Sequence, residues 1–222
     1  MNLDIKSFIF GYSSSNLPIP AYRFGSGGHE VLILGGVHGD EAEGVVAAHG
    51  LLNIFAKDFL LNLTLTLVPM FNIDGVVAKQ RKNSNNVDLN RNLATKDWTA
   101  EVSEEKYHPG KAPNSEPENQ ALVKFIKDSH LRFVLSLHSW NPLLNVNGDC
   151  LGEAKVLEKL TGYEIKDSIG YPTPGCLGTY CGLERNIPTL TYEIKRGSSI
   201  KEILQTHPSA IIEALKITEG RG

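Results

Sequence analysis

One stretch decides the fold of this chain: Val31-Leu-Ile-Leu-Gly-Gly-Val-His38-Gly-Asp-Glu41. Its apolar run predicts a buried parallel strand, and two glycines end that run where a helix should begin. His38 and Glu41 follow with the spacing His-x-x-Glu. Imidazole and carboxylate both suit Zn²⁺, and a catalytic zinc typically takes three protein ligands. The pair alone is equally compatible with a loop histidine and a carboxylate favoured at a helix start, so a third ligand is needed.

Strands and helices alternate along the rest of the chain. Alternating or continuous apolar runs predict strands, and apolar residues at helical spacing predict helices. The predicted strands cover residues 3–10, 18–24, 31–37, 61–69, 132–138, 165–169 and 188–194. The predicted helices cover residues 41–55, 116–129, 152–160, 178–186 and 198–216. Ser115 and Glu118 predict a capping box at the start of the second helix. The alternation predicts a single-domain three-layer α/β/α fold over residues 1–222, with a mixed, largely parallel central sheet.

The composition is that of an ordinary soluble globular protein. Of the 222 residues, 41% are hydrophobic and 21% are charged, and the net charge is −3. Neither nucleic acid nor a membrane is therefore an expected partner. Without a secretory leader pattern or a membrane-length apolar run, we expect a cytoplasmic protein. Three cysteines without Cys-x-x-Cys spacing predict free thiols. The sequence leaves the oligomeric state open.

Three predicted strand ends carry residues suited to metal-dependent hydrolysis. His38 and Glu41 follow one strand, His138 ends a second, and Glu193 lies near the end of a third. Ligands of open α/β sheets bind beyond the carboxyl ends of the strands. The first three residues predict one zinc ion per chain with a position left for water, and Glu193 then has the place of a general base. The alternative is that His138 is a core histidine and that Glu193 pairs with Lys195 or Arg196.

The connection between Phe71 and Lys96 has little apolar periodicity but many polar residues, which predicts a long functional loop. Amide hydrolysis builds negative charge on the carbonyl oxygen, and Arg81 could stabilise it. Asn90 and Arg91 could together bind a substrate carboxylate. The alternative is that these side chains are simply solvated.

The order and spacing of the motifs resemble those of the zinc carboxypeptidases of the carboxypeptidase A superfamily. The shared motifs are His38-x-x-Glu41, Asn72-Ile-Asp74-Gly75, Arg81, Asp88-Leu-Asn90-Arg91-Asn92, Ser115-Glu-Pro-Glu118, His138 and Thr191-Tyr-Glu193. Within that superfamily, the short length and the string Gly170-Tyr-Pro-Thr-Pro-Gly175 resemble the bacterial murein peptide amidase group. That group cleaves the γ-D-glutamyl–meso-diaminopimelate bond of recycled cell-wall peptides in the cytoplasm.

The resemblance implies a role for each candidate residue. His38, Glu41 and His138 would hold zinc, and Glu193 would activate water and pass its proton to the leaving amine. Arg81 would polarise the scissile carbonyl. The resemblance also implies that the substrate is a small muropeptide that contains diaminopimelate.

Asn90 and Arg91 would bind the diaminopimelate carboxylate beside the scissile bond. Tyr171 lies about where carboxypeptidases keep a mobile capping tyrosine; the alternative is a loop aromatic packed on the closing helix. Residues 176–180, including Thr179, should form the floor of the specificity pocket. None of them is an evident charged partner for the substrate side chain.

Two other classes of function stay open at this point. The first is a different carboxypeptidase activity on cell-wall peptides, or deacylation of a small N-acyl amino acid, as in the related succinylglutamate desuccinylase and aspartoacylase groups. The second is a metal-free module that captures peptide C-termini. A binding module would need Arg91 but neither base nor metal, so an intact ligand set together with Glu193 disfavours it.

Overall fold

A computed structural model describes residues 5–221, and within them eight strands form one mixed sheet. The strands are β1 (Lys6–Tyr12), β2 (Pro18–Phe24), β3 (His29–Gly35), β4 (Leu63–Val68), β5 (Leu131–Trp140), β6 (Leu143–Asn147), β7 (Glu164–Lys166) and β8 (Thr189–Lys195). Their order across the sheet is β1-β2-β4-β3-β5-β8-β6-β7. Four neighbouring pairs are parallel and three are antiparallel, which confirms the predicted mixed sheet. Residues 3 and 4 of the first predicted strand lie outside the described residues.

Helices cover both faces of this sheet. Those of the described chain are α1 (Ala42–Phe55), α2 (Ile73–Ala78), α3 (Pro117–Asp128), α4 (Leu151–Thr161) and α5 (Ile200–Glu219). Leu51 of α1, Leu157 of α4 and Ile211 of α5 belong to one hydrophobic core. Leu122 and Ile126 of α3 belong to a second core on the opposite face. The predicted three-layer α/β/α arrangement is therefore confirmed.

The stretch that begins at Val31 lies inside the sheet, where β3 pairs with β4 on one side and β5 on the other. Successive side chains of a strand point to opposite faces. Val31 and Ile33 accordingly pack into the core beneath α1, whereas Leu32 and Leu34 pack into the core beneath α3. Because both faces are covered, the strand reads as a continuous apolar run rather than an alternating one.

The predicted capping box of α3 is not formed. Glu116 occupies the N-cap position and makes no capping hydrogen bond. The Ser115 hydroxyl instead donates to the Glu116 carboxylate at 2.7 Å, and buried Glu118 accepts the backbone N–H of Ser14 at 2.8 Å. Tertiary partners therefore compete successfully with the local motif. The capping box of the described chain lies in α5, between Ser199 and Glu202.

Several short elements escaped the sequence pattern. The connection after Phe71 contains α2, whose six residues are too few to show helical periodicity, and a 3-10 turn at Leu89–Arg91. β6 lies between β8, with which it pairs antiparallel, and β7, with which it pairs in parallel. No helix among residues 5–221 is both long and apolar enough to cross a membrane.

Candidate active site

The loop between β3 and α1 carries the first two candidate metal ligands. Gly36 turns the chain with φ of +63°, a conformation that costs glycine little. Gly39 packs so closely on the start of α2 that a Cβ there would lie 1.9 Å from the carbonyl carbon of Gly75. These contacts bury His38 and Glu41, which are 4% and 5% exposed.

The sheet order brings the other two strand-end residues to the same place. β5 lies beside β3, and β8 lies beside β5 in parallel, with His138 directly opposite Glu193 in the register. Since the carboxyl ends of parallel strands meet at one edge, residues far apart in sequence become neighbours. His38, Glu41 and His138 bring their donor atoms within 4.8 Å of one another.

The three donor groups converge on one point. Glu41 Oε1 lies 2.8 Å from His38 Nδ1, and Glu41 Oε2 lies 2.8 Å from His138 Nδ1. The two Nδ1 atoms are 3.2 Å apart. Burial acts to raise the pKa of the Glu41 carboxyl, but the two imidazoles outweigh it and hold that pKa well below its usual range. A carboxylate therefore faces both rings.

The outer nitrogens of the two rings explain why their Nδ1 atoms face inward. His38 Nε2 lies 3.1 Å from Asp88 Oδ1, and His138 Nε2 lies 2.9 Å from the Ser136 hydroxyl. An ionised carboxylate only accepts hydrogen bonds, and both nitrogens of His38 face one, Asp88 at Nε2 and Glu41 at Nδ1. If a metal ion took the place of the proton on Nδ1, the Asp88 contact would keep the remaining proton on Nε2. Two imidazoles with one carboxylate match the ligand set of a catalytic zinc site.

Asp88 also holds Arg81. Burial acts to raise the Asp88 pKa, but the charges of His38 and Arg81 and a hydrogen bond from His38 outweigh it and lower that pKa far below its ordinary value. Arg81 Nε donates to Asp88 Oδ2 at 2.8 Å, and its Nη2 lies 2.8 Å from the same oxygen. Arg81 Nη1 lies 3.5 Å from Glu41 Oε1. The guanidinium is therefore fixed beside the ligand cluster.

Asn90 and Arg91 line the same cleft as His38 and Glu41 of the ligand cluster. Asn90 Oδ1 accepts the backbone N–H of Leu177 at 2.9 Å, which ties the 3-10 turn to the loop after β7. Arg91 Nη1 donates to the backbone carbonyl of Asn90 at 2.7 Å. The structure thus brings these two residues, Arg81 and the ligand cluster into one concave site.

Glu193 lies in this cleft and is 6% exposed. Its Oε2 atom is buried and has no hydrogen-bond partner among the described residues. Burial raises the pKa of the Glu193 carboxyl to about 7, although the positive charges of His138, Arg81 and Arg196 oppose this rise. Because buried polar atoms normally find a partner, this oxygen is available to a molecule that enters the cleft.

Three aromatic rings form a row across the cleft. Tyr171 lies between Tyr107 and Trp140, with ring centroids 5.6 Å from each. The Arg91 guanidinium carbon lies 5.1 Å from the Tyr107 ring centre and 5.9 Å from that of Tyr171. Tyr171 therefore packs against aromatic and arginine side chains of the cleft, and its role as a capping tyrosine stays a prediction.

Thr179 is the predicted substrate-binding residue that does not line the cleft. It lies in a π-helical turn, Gly178–Leu183, where its hydroxyl contacts Cys176 Sγ at 3.4 Å. Cys176 and Gly178 line the cleft in its place. The wide turn directs the Thr179 side chain toward the neighbouring thiol, and a role of Thr179 in substrate binding stays a prediction.

Asp88 and Ser136, which sequence reasoning did not assign, support the ligands from outside. The signal for Asp88 was present, since it stands two residues before Asn90 in a shared motif. Ser136 stands two residues before His138, a spacing that places both on one face of a strand. Tyr107 had no comparable signal, because only the path of the loop before α3 brings its ring to the arginines.

The sequence offers Arg196 as an alternative ion-pair partner of Glu193. The structure pairs it with Asp40 instead, at 3.0 Å between Arg196 Nη2 and Asp40 Oδ2. Both residues line the cleft. Asp40 lies between the two first candidate ligands and Arg196 in the turn after β8, so no sequence pattern connects them.

A comparison of the sequence with known protein families identifies the family of this chain. The family described as zinc carboxypeptidase matches residues 4–214. The chain belongs to the zinc carboxypeptidase family. The resemblance drawn from the motifs is thereby confirmed, and this family member is a hydrolase that acts on peptide bonds. The family implies zinc, and His38, Glu41 and His138 form the group that could hold a metal ion.

Individual proteins of known sequence or structure are also similar to this chain. The murein peptide amidase A of Vibrio campbellii is 32% identical over 197 residues, which cover 83% of this chain and 77% of the relative. The murein peptide amidase A of Escherichia coli K12 is 32% identical over 82% of this chain and 76% of its own length. The crystal structure of murein-tripeptide amidase MpaA from Escherichia coli O157 superposes with a TM-score of 0.75 at 24% identity, over 97% of this chain and 92% of that one. The structural match shows the shared fold.

Proposed function

We propose that this zinc carboxypeptidase family member is an amidase that cleaves the γ-D-glutamyl–meso-diaminopimelate bond of cell-wall peptides. The main support for this proposal is the arrangement of side chains in the cleft. A buried His38, Glu41 and His138 cluster faces a cleft that also holds the partnerless Oε2 of Glu193 and the cationic side chains of Arg81 and Arg91. The similarity to two murein peptide amidases supports the choice of substrate.

One zinc ion per chain would be held by His38, Glu41 and His138. When bound, zinc polarises the scissile carbonyl and lowers the pKa of water, which is the chemistry that peptide hydrolysis at neutral pH requires. Asp88 and Ser136 orient the two imidazoles for this task through their Nε2 atoms. The donor set, its burial and its outer hydrogen bonds therefore fit the family's metal.

Glu193 supplies the base. Its free carboxylate oxygen takes a proton from the attacking water, and the resulting carboxyl later delivers that proton to the amide nitrogen of the leaving group. The carbon–nitrogen bond then breaks. The products are the γ-carboxylate of the glutamyl residue and the free amine of diaminopimelate.

Positive side chains orient the substrate in this proposal. Arg81, fixed by Asp88, stabilises the negative charge that develops on the carbonyl oxygen. Asn90 and Arg91 bind the diaminopimelate carboxylate next to the scissile bond, for which a guanidinium fork is well suited. Tyr171 covers the bound peptide from the aromatic row.

The proposed substrate also determines the cellular setting that we infer. A small muropeptide released from the wall is the partner, residues 1–222 act as one catalytic domain, and the protein works in the cytoplasm in peptidoglycan recycling. The proposal involves neither nucleic acid nor a membrane. Thr179 contributes to specificity only through its contact with Cys176.

The experiment is mass spectrometry of L-Ala-γ-D-Glu-meso-diaminopimelate incubated with purified zinc-loaded protein, beside the tetrapeptide that adds D-Ala. Release of diaminopimelate from the tripeptide is the expected result. Loss of D-Ala alone from the tetrapeptide would instead indicate a carboxypeptidase, and no cleavage of either peptide would point to small N-acyl amino acids.

A Glu193→Gln variant is the matched control. It should retain zinc and lose at least about 100-fold in turnover, because the amide cannot accept the proton of water. Zinc content measured on the same samples separates loss of the base from loss of the metal.

A further inference from the structure

We propose that Arg196 and Asp40 recognise the acyl side of the substrate. Arg196 binds the free α-carboxylate of the γ-linked glutamyl residue, and Asp40 accepts the neighbouring acylated N–H. This inference rests on the proposed function, because it concerns the same cleft and the same scissile bond. It assigns the preference for a γ-glutamyl linkage to two residues outside the candidate metal and base set.

The pair is placed to meet a ligand. Arg196 Nη2 lies 3.0 Å from Asp40 Oδ2 and 3.0 Å from the Asp40 backbone carbonyl, and both residues line the cleft with Glu41 and Glu193. The side chains are 45% and 33% exposed. No partner of Arg196 Nε or Nη1 is present among residues 5–221. One edge of the guanidinium is thus available to a carboxylate.

The backbone around Arg196 is fixed by contacts from two other elements. The N–H of Arg196 donates to the carbonyl of Trp140, at the end of β5, at 3.0 Å. The N–H of Gly197 donates to Glu43 at 2.7 Å, and Glu43 also accepts the Ser139 hydroxyl at 2.6 Å. The turn after β8 is therefore tied to β5 and α1, so that Arg196 is presented from a rigid support.

The cationic groups of the cleft fall into two sets. In the first set, the guanidinium carbons of Arg81 and Arg91 both lie within 5.3 Å of the Tyr107 ring centre. Lys106 belongs to the same set, 4.8 Å from that ring. Within the described chain, no hydrogen bond or ion pair joins Arg196 or Asp40 to these residues. Arg196 is therefore a cation of the cleft that is separate from the set around Tyr107.

The charged groups of the proposed substrate match the separation of Arg196 from the other cations of the cleft. Asn90, Arg91 and Arg81 are engaged by the diaminopimelate carboxylate and the scissile carbonyl in the proposed function. A γ-linked glutamyl residue carries a free carboxylate and an acylated N–H on the same carbon. In an α-linked glutamyl residue, that carbon carries the scissile carbonyl instead of a free carboxylate. A guanidinium beside a carboxylate complements these two groups, and charge-assisted hydrogen bonds are the stronger kind.

The test compares two tripeptides that differ at one group. One is L-Ala-γ-D-Glu-meso-diaminopimelate, and the other carries a carboxamide in place of the glutamyl α-carboxylate. For the wild-type protein, kcat/KM should be about ten- to a hundred-fold higher on the carboxylate, since the amide loses a charge-assisted contact. Arg196→Gln should lose most of that preference by reducing activity on the carboxylate peptide alone.

Lys195→Gln is the matched control, because it removes the neighbouring positive charge from an exposed residue that does not line the cleft. It should keep the wild-type preference, and Arg196→Lys should keep part of it. The ratio of activities on two peptides is measured within one sample. It therefore does not depend on how much of a variant is folded or loaded with zinc.

The outcomes separate the two proposals. Equal kcat/KM on both peptides by the wild-type protein would overturn the role of Arg196 and leave the proposed amidase function intact. An undiminished preference in Arg196→Gln would overturn it in the same way. Failure of the wild-type protein to cleave either peptide would overturn the proposed function itself, and the inference with it.

Discussion

Asp88 uses its two carboxylate oxygens on two different partners. One accepts from His38 Nε2, and the other accepts from Arg81. A single buried acid thus sets the orientation of a candidate metal ligand and the position of the arginine proposed to stabilise the carbonyl oxygen. Loss of such an outer hydrogen bond typically lowers metal affinity about 10- to 100-fold.

Replacement of Asp88 should therefore weaken zinc binding. In Asp88→Asn, the neutral amide accepts less strongly from His38 Nε2, and we expect zinc affinity to fall about 10- to 100-fold. Competition with a chromogenic chelator measures this directly. Asp58→Asn, at an exposed position, serves as the control. Unchanged zinc affinity in the Asp88 variant would show that His38 is oriented without this acid.

At the scale of elements, α1 and β5 must approach closely for the ligand cluster to form. Gly44 of α1 faces the end of β5, where a Cβ would lie 2.6 Å from the carbonyl oxygen of Leu137. His138 follows Leu137 directly. The absence of a side chain at Gly44 therefore allows the candidate ligand from β5 to reach those from the β3–α1 loop.

We expect Gly44→Ala to be destabilised by about 1–3 kcal/mol, because the obstacle is backbone that cannot rotate away. Thermal unfolding of the zinc-free protein measures the loss. Gly220→Ala is the control, since the nearest atom to its added Cβ would lie 3.6 Å away. Equal stability of Gly44→Ala and the wild-type protein would contradict the close approach described here.

The contact between β8 and α5 predicts a pH effect on stability. Tyr192 lies 2.6 Å through its hydroxyl from His207 Nδ1, and both residues are buried. Burial lowers the pKa of His207 to about 4, below the value of about 6.5 for an unperturbed imidazole. Between these values the unfolded chain binds more protons, so stability should fall as pH decreases from about 6.5 toward 4.

The variant His207→Gln tests this effect because the amide can accept from Tyr192 but does not titrate. Its urea midpoint should fall less than that of the wild-type protein over this pH range. His130→Gln, at an exposed histidine, should follow the wild-type curve. Parallel curves for His207→Gln and the wild-type protein would rule out His207 as the source.

At the scale of the whole molecule, the candidate site lies outside the two cores that hold the layers together. Neither core contains His38, Glu41 or His138, which lie at the carboxyl edge of the sheet. The cleft can therefore concentrate charged groups without weakening the apolar packing on either face. Loops from several elements supply its walls, as is usual in open α/β proteins.

Removal of zinc should for this reason abolish turnover while leaving the fold intact. Circular dichroism of chelator-treated protein should retain the helix and sheet signal. The midpoint of thermal unfolding should decrease and then recover when zinc is restored, because a ligand that binds the folded state stabilises it. Unfolding upon chelation would indicate a structural rather than a catalytic metal.

The sequence predicted most of the layers and the strand-end residues, and missed features that depend on distant contacts. β3 was recognisable as a continuous apolar run and β8 as an alternation of polar and apolar residues, each beside turn residues. α2 has six residues, which are too few for helical periodicity to identify, and β6 was also missed. The cap of α3 followed tertiary partners of Ser115 and Glu118 rather than the local motif.

The sequence by itself determined the family, the alternation of strands and helices, and the placement of His38, Glu41, His138 and Glu193 at strand ends, because local periodicity and motif spacing are written along the chain. The tertiary structure alone decided that Asp88 serves both His38 and Arg81, that Tyr107 joins the cleft, and that Arg196 pairs with Asp40. These contacts join residues brought together only by the strand order and the paths of the loops, which no local pattern encodes.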